Sequence, residues 1–163
     1  MTVREIVKFP DAALRAAAAP VTVFDNDLRL LAQDLLDTLR AAPGIGITAP
    51  HIGVLTRVVV LELSGPGSAK TYINPEITGL PMRKSVIRKG ASPYRVVDDV
   101  ERHARIHLHY QDIDGKELTE ESDGLLSVCH QHEIDQLDGI FWLQRLSKLK
   151  RDRLIKRYQK LLK

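Results

Sequence analysis

His130-Gln131-His132-Glu133-Ile134-Asp135-Gln136-Leu137-Asp138-Gly139 decides how this chain is read. Leu125, Cys129, His132 and Gln136 recur at helical spacing, so the stretch predicts the end of a helix with those four residues on one face. Gly139 falls where a helix end favours a residue that tolerates positive φ. His132 and Glu133 are the first two letters of the zinc-binding pattern H-E-x-x-H. In that pattern two histidines four apart grip one metal, and the Glu between them is the general base. The fifth letter here is Gln136. A neutral amide oxygen is a much poorer zinc ligand than an imidazole nitrogen. The pattern is present in outline and short of one ligand.

Working outward, 163 residues predict one domain, 1–163, with a single core. Apolar residues at 44% and charged residues at 28% fit a soluble globular chain. No apolar run is long enough for a membrane span. Met1 to Pro10 carry Arg4, Glu5 and Lys8 and lack the apolar core of a signal peptide. Cys129 is the single cysteine, which excludes an internal disulfide and fits a reducing, cytoplasmic setting. Charge is uneven. Residues 147–163 hold eight Lys or Arg against Asp152 alone, so +7 of charge sits there; the whole chain is +3, which leaves −4 on the other 146 residues. A basic tail on a mildly acidic body points to an anionic partner at the tail, with neither DNA nor a membrane expected.

The rest of the chain supplies the frame. Asp25 or Asn26 caps a predicted helix to about Ala42, with Leu28, Leu31, Leu35 and Leu39 as its apolar stripe and Pro43-Gly44 as its stop. Gly44-Ile45-Gly46-Ile47-Thr48-Ala49-Pro50-His51 follows. Two glycines in three residues let backbone pass close to a ligand or to a neighbouring strand. Arg57–Leu63 reads as a buried strand, and Thr71-Tyr72-Ile73 as a short one ended by Asn74-Pro75. Residues 82–95 hold five basic residues and no acid. In Arg102–Gln111, Ile106, Leu108 and Tyr110 alternate with Arg105, His107 and His109, so those histidines fall on the polar face. Asp112-Ile113-Asp114-Gly115 is a hairpin turn by composition, with Lys116–Glu120 as the return strand. Ser122 or Asp123 starts the motif helix. Ser147 caps a last helix with Leu154, Tyr158, Leu161 and Leu162 as its buried stripe. Strands in the middle with helices before and after predict an α+β fold.

Taken together, these pieces resemble the peptide deformylase family, from about Ile6 to Lys150. Three motifs mark that family: G-x-G-x-A-A-x-Q, E-G-C-x-S and Q-H-E-x-D-H. Gly44 to His51 stand for the first, and Gln131-His132-Glu133-Ile134-Asp135-Gln136 for the third. Ile73-Asn74-Pro75-Glu76 and Asp123-Gly124-Leu125-Leu126 are similar to the family as well. The resemblance implies antiparallel and mixed sheets around a central motif helix, with a C-terminal helix. It implies a hydrolase that removes the formyl group from the N-terminal methionine of nascent peptides, using Fe(II) or Zn held by the Cys of the second motif and both His of the third. It also implies a C-terminal helix able to dock on the ribosome.

The departures from the pattern matter most. The nearest match to the second motif is Arg88-Lys89-Gly90-Ala91-Ser92, which puts Gly90 in the place of the Cys. Gln136 replaces the second His, so His132 is the one remaining ligand position. His51 replaces the Gln that helps hold the substrate carbonyl, and Thr48 stands for an Ala. Glu133, the general base, is kept, and Gly46 keeps its place beside the substrate. A metal with three protein ligands lowers the pKa of its water from ~15.7 to ~7. At ~1.36 kcal/mol per unit, losing that is worth on the order of 11–12 kcal/mol. A lone general base supplies ~10²–10⁴-fold. The expectation is therefore a deformylase-like chain with weak or lost turnover, or a module that binds formyl peptides or the ribosome without hydrolysis. Two alternatives remain open: a rebuilt metal site using His51, His132, Glu133, Gln136 and Cys129, or Cys129 as a core residue.

Overall fold

The computed structural model describes residues 2–42, 44–79, 84–91 and 96–161. Pro43, Ser92 and Leu162 lie outside them. Helix α1 spans Asn26–Ala41. Its cap is Asp25, whose carboxylate accepts the Leu28 N–H at 3.1 Å. The stripe behaves as its spacing predicts: Leu28, Leu35 and Leu39 are buried and Leu31 is half-buried.

Five strands form one sheet in the order β1 (Gly46–Thr48), β2 (Val58–Leu61), β3 (Lys70–Gly79), β6 (Arg105–Gln111), β7 (Glu117–Asp123), and β4 (Lys84–Ala91) pairs with β5 (Val96–His103) in a separate hairpin. All these ladders are antiparallel. A parallel bridge joins Ala19 to Thr56. The unbroken apolar run of β2 has a direct cause. Val58 and Val60 face α1 with Ile73, while Val59 and Leu61 face the opposite side with Tyr72, Leu108 and Tyr110, so both faces are dry. In β6 the alternation is as expected, with His107 and His109 on the more exposed side.

Asn74-Pro75 does not end its strand. β3 runs on to Gly79 through a register shift between Ile73 and Glu76, with Asn74 at φ +49°. The Asn74 side chain makes the kink affordable. It accepts from the Val21 N–H and donates to the Val21 carbonyl, both at 2.8 Å, and to Gln111 Oε1 at 2.7 Å. Pro75, which has no N–H to give, sits at the irregularity.

Helix α2, Gly124–Leu137, packs against the inner face of the sheet. Ten of its fourteen residues are buried, so it is covered on nearly every side. Leu125, placed on the motif face by spacing, is instead 57% exposed at the open first turn. Gly139 has φ +74°, and a Cβ there would meet the Arg15 carbonyl oxygen at 2.6 Å, so both backbone angle and close approach require glycine. Helix α3, Lys148–Leu161, buries Leu154 and half-buries Tyr158 against Phe9, Phe141, Trp142 and Leu143. Leu161 is 49% exposed, contrary to its place in the expected stripe, because that apolar seat ends at Tyr158.

Candidate functional site

The site forms where the edge strand β1 crosses the C-terminal half of α2. Gly46 on β1 faces Glu133 on α2: a Cβ at Gly46 would lie 2.7 Å from Glu133 Oε1 and 2.7 Å from Leu61 Cδ2. The second glycine of the Gly-rich stretch thus lets a carboxylate lie directly on strand backbone. Glu133 itself is 4% exposed.

Thr48, at the end of β1, caps the 3-10 turn Ala49–Ile52 that carries His51. The Thr48 N–H donates to His51 Nδ1 at 3.0 Å, and Thr48 Oγ1 lies 3.0 Å from the same nitrogen. Gly53, at φ +79°, closes the turn. An Nδ1 that accepts a backbone N–H leaves the proton of a neutral ring on Nε2. Burial pushes the His51 pKa down to about 4, so the ring is neutral at pH 7.

One turn along α2 from His132, Gln136 replaces the second histidine of the motif. Its Nε2 donates to His132 Nε2 at 2.9 Å, and its Oε1 accepts from Thr48 Oγ1 at 3.4 Å. The structure therefore brings together His51, His132, Glu133, Gln136 and Gly46, together with Thr48. Cys129 is 3% exposed within the apolar cluster of Val59, Leu61, Tyr72 and Ile134. Among the described residues, no three His, Cys, Asp or Glu side chains gather as a metal-binding group.

Gln131 and Asp135 match letters of the third motif, but the partners that hold them, Arg102, His103 and Arg145, were not singled out by sequence. Asp135, between the motif positions, bonds Arg102 Nη1 of β5 at 2.5 Å and Arg145 Nε at 3.0 Å, with a second contact to Arg145 Nη2. Gln131 donates to the His103 carbonyl at 2.7 Å and accepts the His103 N–H at 2.8 Å, continuing β5 with a side-chain amide. These bonds tie the Arg102–His103 end of the β4–β5 hairpin to α2. Spacing along the chain carries no signal for them, because Arg102 and Asp135 are 33 residues apart. His130 is fully buried, edge-on to Tyr72 with ring centroids 4.5 Å apart and Nε2 3.7 Å from Glu120 Oε1. Burial lowers its pKa to about 4 against the opposing pull of Glu120.

A helix bearing His-Glu, laid under a Gly-rich edge strand within this α+β frame, is the architecture of the deformylases. The sequence profile of the polypeptide deformylase family matches residues 3–152. Two proteins of Brucella suis biovar 1 (strain 1330) bracket the chain. One, named peptide deformylase-like, is 70% identical over 162 residues, covering 99% of both chains. The other, named peptide deformylase, is 39% identical over 165 residues, covering 99% of this chain and 94% of its own. The crystal structure of a peptide deformylase from Legionella pneumophila superposes with a TM-score of 0.90 at 33% identity, over 98% of this chain and 95% of that one. The chain belongs to the polypeptide deformylase family.

Proposed function

We propose that this chain binds N-formyl-methionyl peptides in the pocket of its family and hydrolyses them far more slowly than a metal-bearing member. The observation that carries this reading is the 2.9 Å bond from Gln136 to His132 Nε2. A metal ligand needs a free imidazole lone pair, and here that lone pair is taken by an amide proton. With an amide at the second motif position and Gly90 at the Cys position, the donor set does not fit Fe(II) or Zn.

The recognition groups fare better. Gly46 keeps the edge strand clear for a close backbone approach. His51, with its proton on Nε2, offers an N–H donor in the slot where the family uses an amide, so a formyl or peptide carbonyl still finds a partner. Glu133 remains beside the strand as a base. Alone it contributes ~10²–10⁴-fold, or roughly 3–5 kcal/mol, too little to replace a metal. Such a protein acts on nascent chains in the cytoplasm. Among the described residues no helix is long and apolar enough to cross a membrane.

A second role has its own support in the exposed basic face of α3, where Lys150, Arg153, Arg157 and Lys160 all point outward. This face fits ribosomal RNA phosphates and lets the protein wait beside emerging formyl peptides.

Calorimetric titration with formyl-Met-Ala, run beside a formate-release assay on a metal-bearing family member, tests the proposal. Saturable binding with much slower release is expected, and Glu133→Gln should abolish the residual release. Release at the rate of the metal-bearing member, or no detectable binding, would overturn it.

A further inference from the structure

Three of the departures from the family motifs, Thr48, His51 and Gln136, come from a strand end, a turn and the last turn of a helix. In the fold they touch. Thr48 Oγ1 lies 3.0 Å from His51 Nδ1 and 3.4 Å from Gln136 Oε1, and Gln136 Nε2 lies 2.9 Å from His132 Nε2. Thr48 is completely buried and Gln136 is 8% exposed, so each polar atom must find its partner within the protein.

The proton assignments run in one direction. His51 Nδ1 has a single lone pair, and the Thr48 N–H already points at it at 3.0 Å. The Thr48 hydroxyl proton is therefore available for Gln136 Oε1. With its oxygen held toward Thr48, the Gln136 amide turns its N–H₂ toward His132, which must then accept at Nε2 and carry its proton on Nδ1. An alanine at position 48, as in the family pattern, removes the donor to Oε1. A buried carbonyl left unpaired is unfavourable, so the amide loses what holds it in one orientation.

We propose that Thr48 is the positioning residue of this site: through its hydroxyl it orients Gln136, through Gln136 it fixes the tautomer of His132, and the three departures act as one unit that fills the seat of the metal. The proposal rests on the metal-poor reading above. Its consequence is that restoring the histidine alone does not restore a metal site. In a Gln136→His protein the Thr48 hydroxyl meets the new imidazole in place of the amide oxygen and competes for its lone pair.

The test is titration of Zn²⁺ into four full-length proteins dialysed free of metal: the parent, Thr48→Ala, Gln136→His, and the double variant Thr48→Ala with Gln136→His. Thermal melts confirm that each is folded. The double variant should bind zinc about tenfold more tightly than Gln136→His, the effect of releasing one modest hydrogen bond. Equal affinity in those two proteins overturns the role of Thr48 and leaves the metal-poor reading intact. Stoichiometric, tight zinc on the parent overturns the metal-poor reading itself. Histidine ring nitrogen spectra at fixed pH give a readout independent of metal. Thr48→Ala should move the His132 ring signals while Thr48→Ser leaves them in place. Unmoved His132 signals in Thr48→Ala sink the proposal.

Discussion

Gln136 and His132 are joined by a 2.9 Å bond between an amide nitrogen and an imidazole nitrogen, one turn apart on α2. At those two positions the H-E-x-x-H pattern puts a pair of metal ligands. The same helical geometry that aims two imidazoles at one ion here aims an amide donor at an imidazole acceptor. Protein purified without added metal should accordingly carry well under one equivalent of Fe, Zn or Ni by elemental analysis. Gln136→His combined with Gly90→Cys should raise that occupancy. One tightly held metal per chain in the parent would contradict the geometry.

Gly46 offers a packing test of the same site. A methyl group there would sit 2.7 Å from both Glu133 Oε1 and Leu61 Cδ2, and both side chains are buried. Gly46→Ala is expected to cost about 1–3 kcal/mol of stability through overpacking and to push the Glu133 carboxylate off the strand. Gly44→Ala is the milder control, since its Cβ would meet Leu39 Cδ1 at 3.3 Å. Urea denaturation compares them, and equal midpoints for the two variants would mean that β1 yields freely.

The parts of the fold with a clean period were legible in the sequence. The leucines of α1 and the alternation of β6 name their buried faces because each element has one wet side. The motif located α2 but its period did not describe it: with ten of fourteen residues buried, the stripe that spacing looks for is erased. Asn74-Pro75 misled because the local signal is a break, while the bonds that carry β3 through it come from Val21 and Gln111. Motif order led to the expectation that His51, His132, Glu133, Gln136 and Gly46 share one site, and the fold brings them side by side. The contact that links Thr48 to Gln136 spans 88 residues and was not legible.

His51 and His130 set a pH limit on stability. Burial lowers both to about 4, against an ordinary value of 6.5. Between those values the unfolded chain binds more protons than the folded one, so stability rises with pH across the window and falls as pH drops from 6.5 toward 4. The gap is worth roughly 3 kcal/mol for the fully buried His130 ring at ~1.36 kcal/mol per pH unit, and less for the half-buried His51. His130 faces Tyr72 and Glu120, with Lys70 paired to that same carboxylate. His130→Gln should lower stability at pH 7 yet flatten its decline toward pH 4.5, as read from urea midpoints across the range. A decline as steep as the parent's would show that His130 is not what titrates.

The basic face of α3 makes the last prediction. Arg151, Leu154, Ile155 and Tyr158 turn toward the body, while Lys150, Arg153, Arg157 and Lys160 are exposed. Within α3, Lys148–Leu161, seven Lys or Arg stand against Asp152 alone, +6 on a chain whose total is +3, so the field is concentrated on this one helix. Lysines and arginines meeting RNA phosphates release counterions, and binding weakens steeply with salt. About four to six such contacts give a slope of log K against log salt of about −3 to −4 on single-stranded or irregular RNA. Truncation before α3 is a poor test, because it also strips Leu154 and Tyr158 from Phe9, Phe141 and Trp142. Reversing Lys150, Arg153, Arg157 and Lys160 to Glu leaves that apolar seat untouched. The reversed protein should melt within a few degrees of the parent and lose co-sedimentation with ribosomes at low salt. If it sediments as the parent does, the helix serves only to cover the aromatic cluster beneath it.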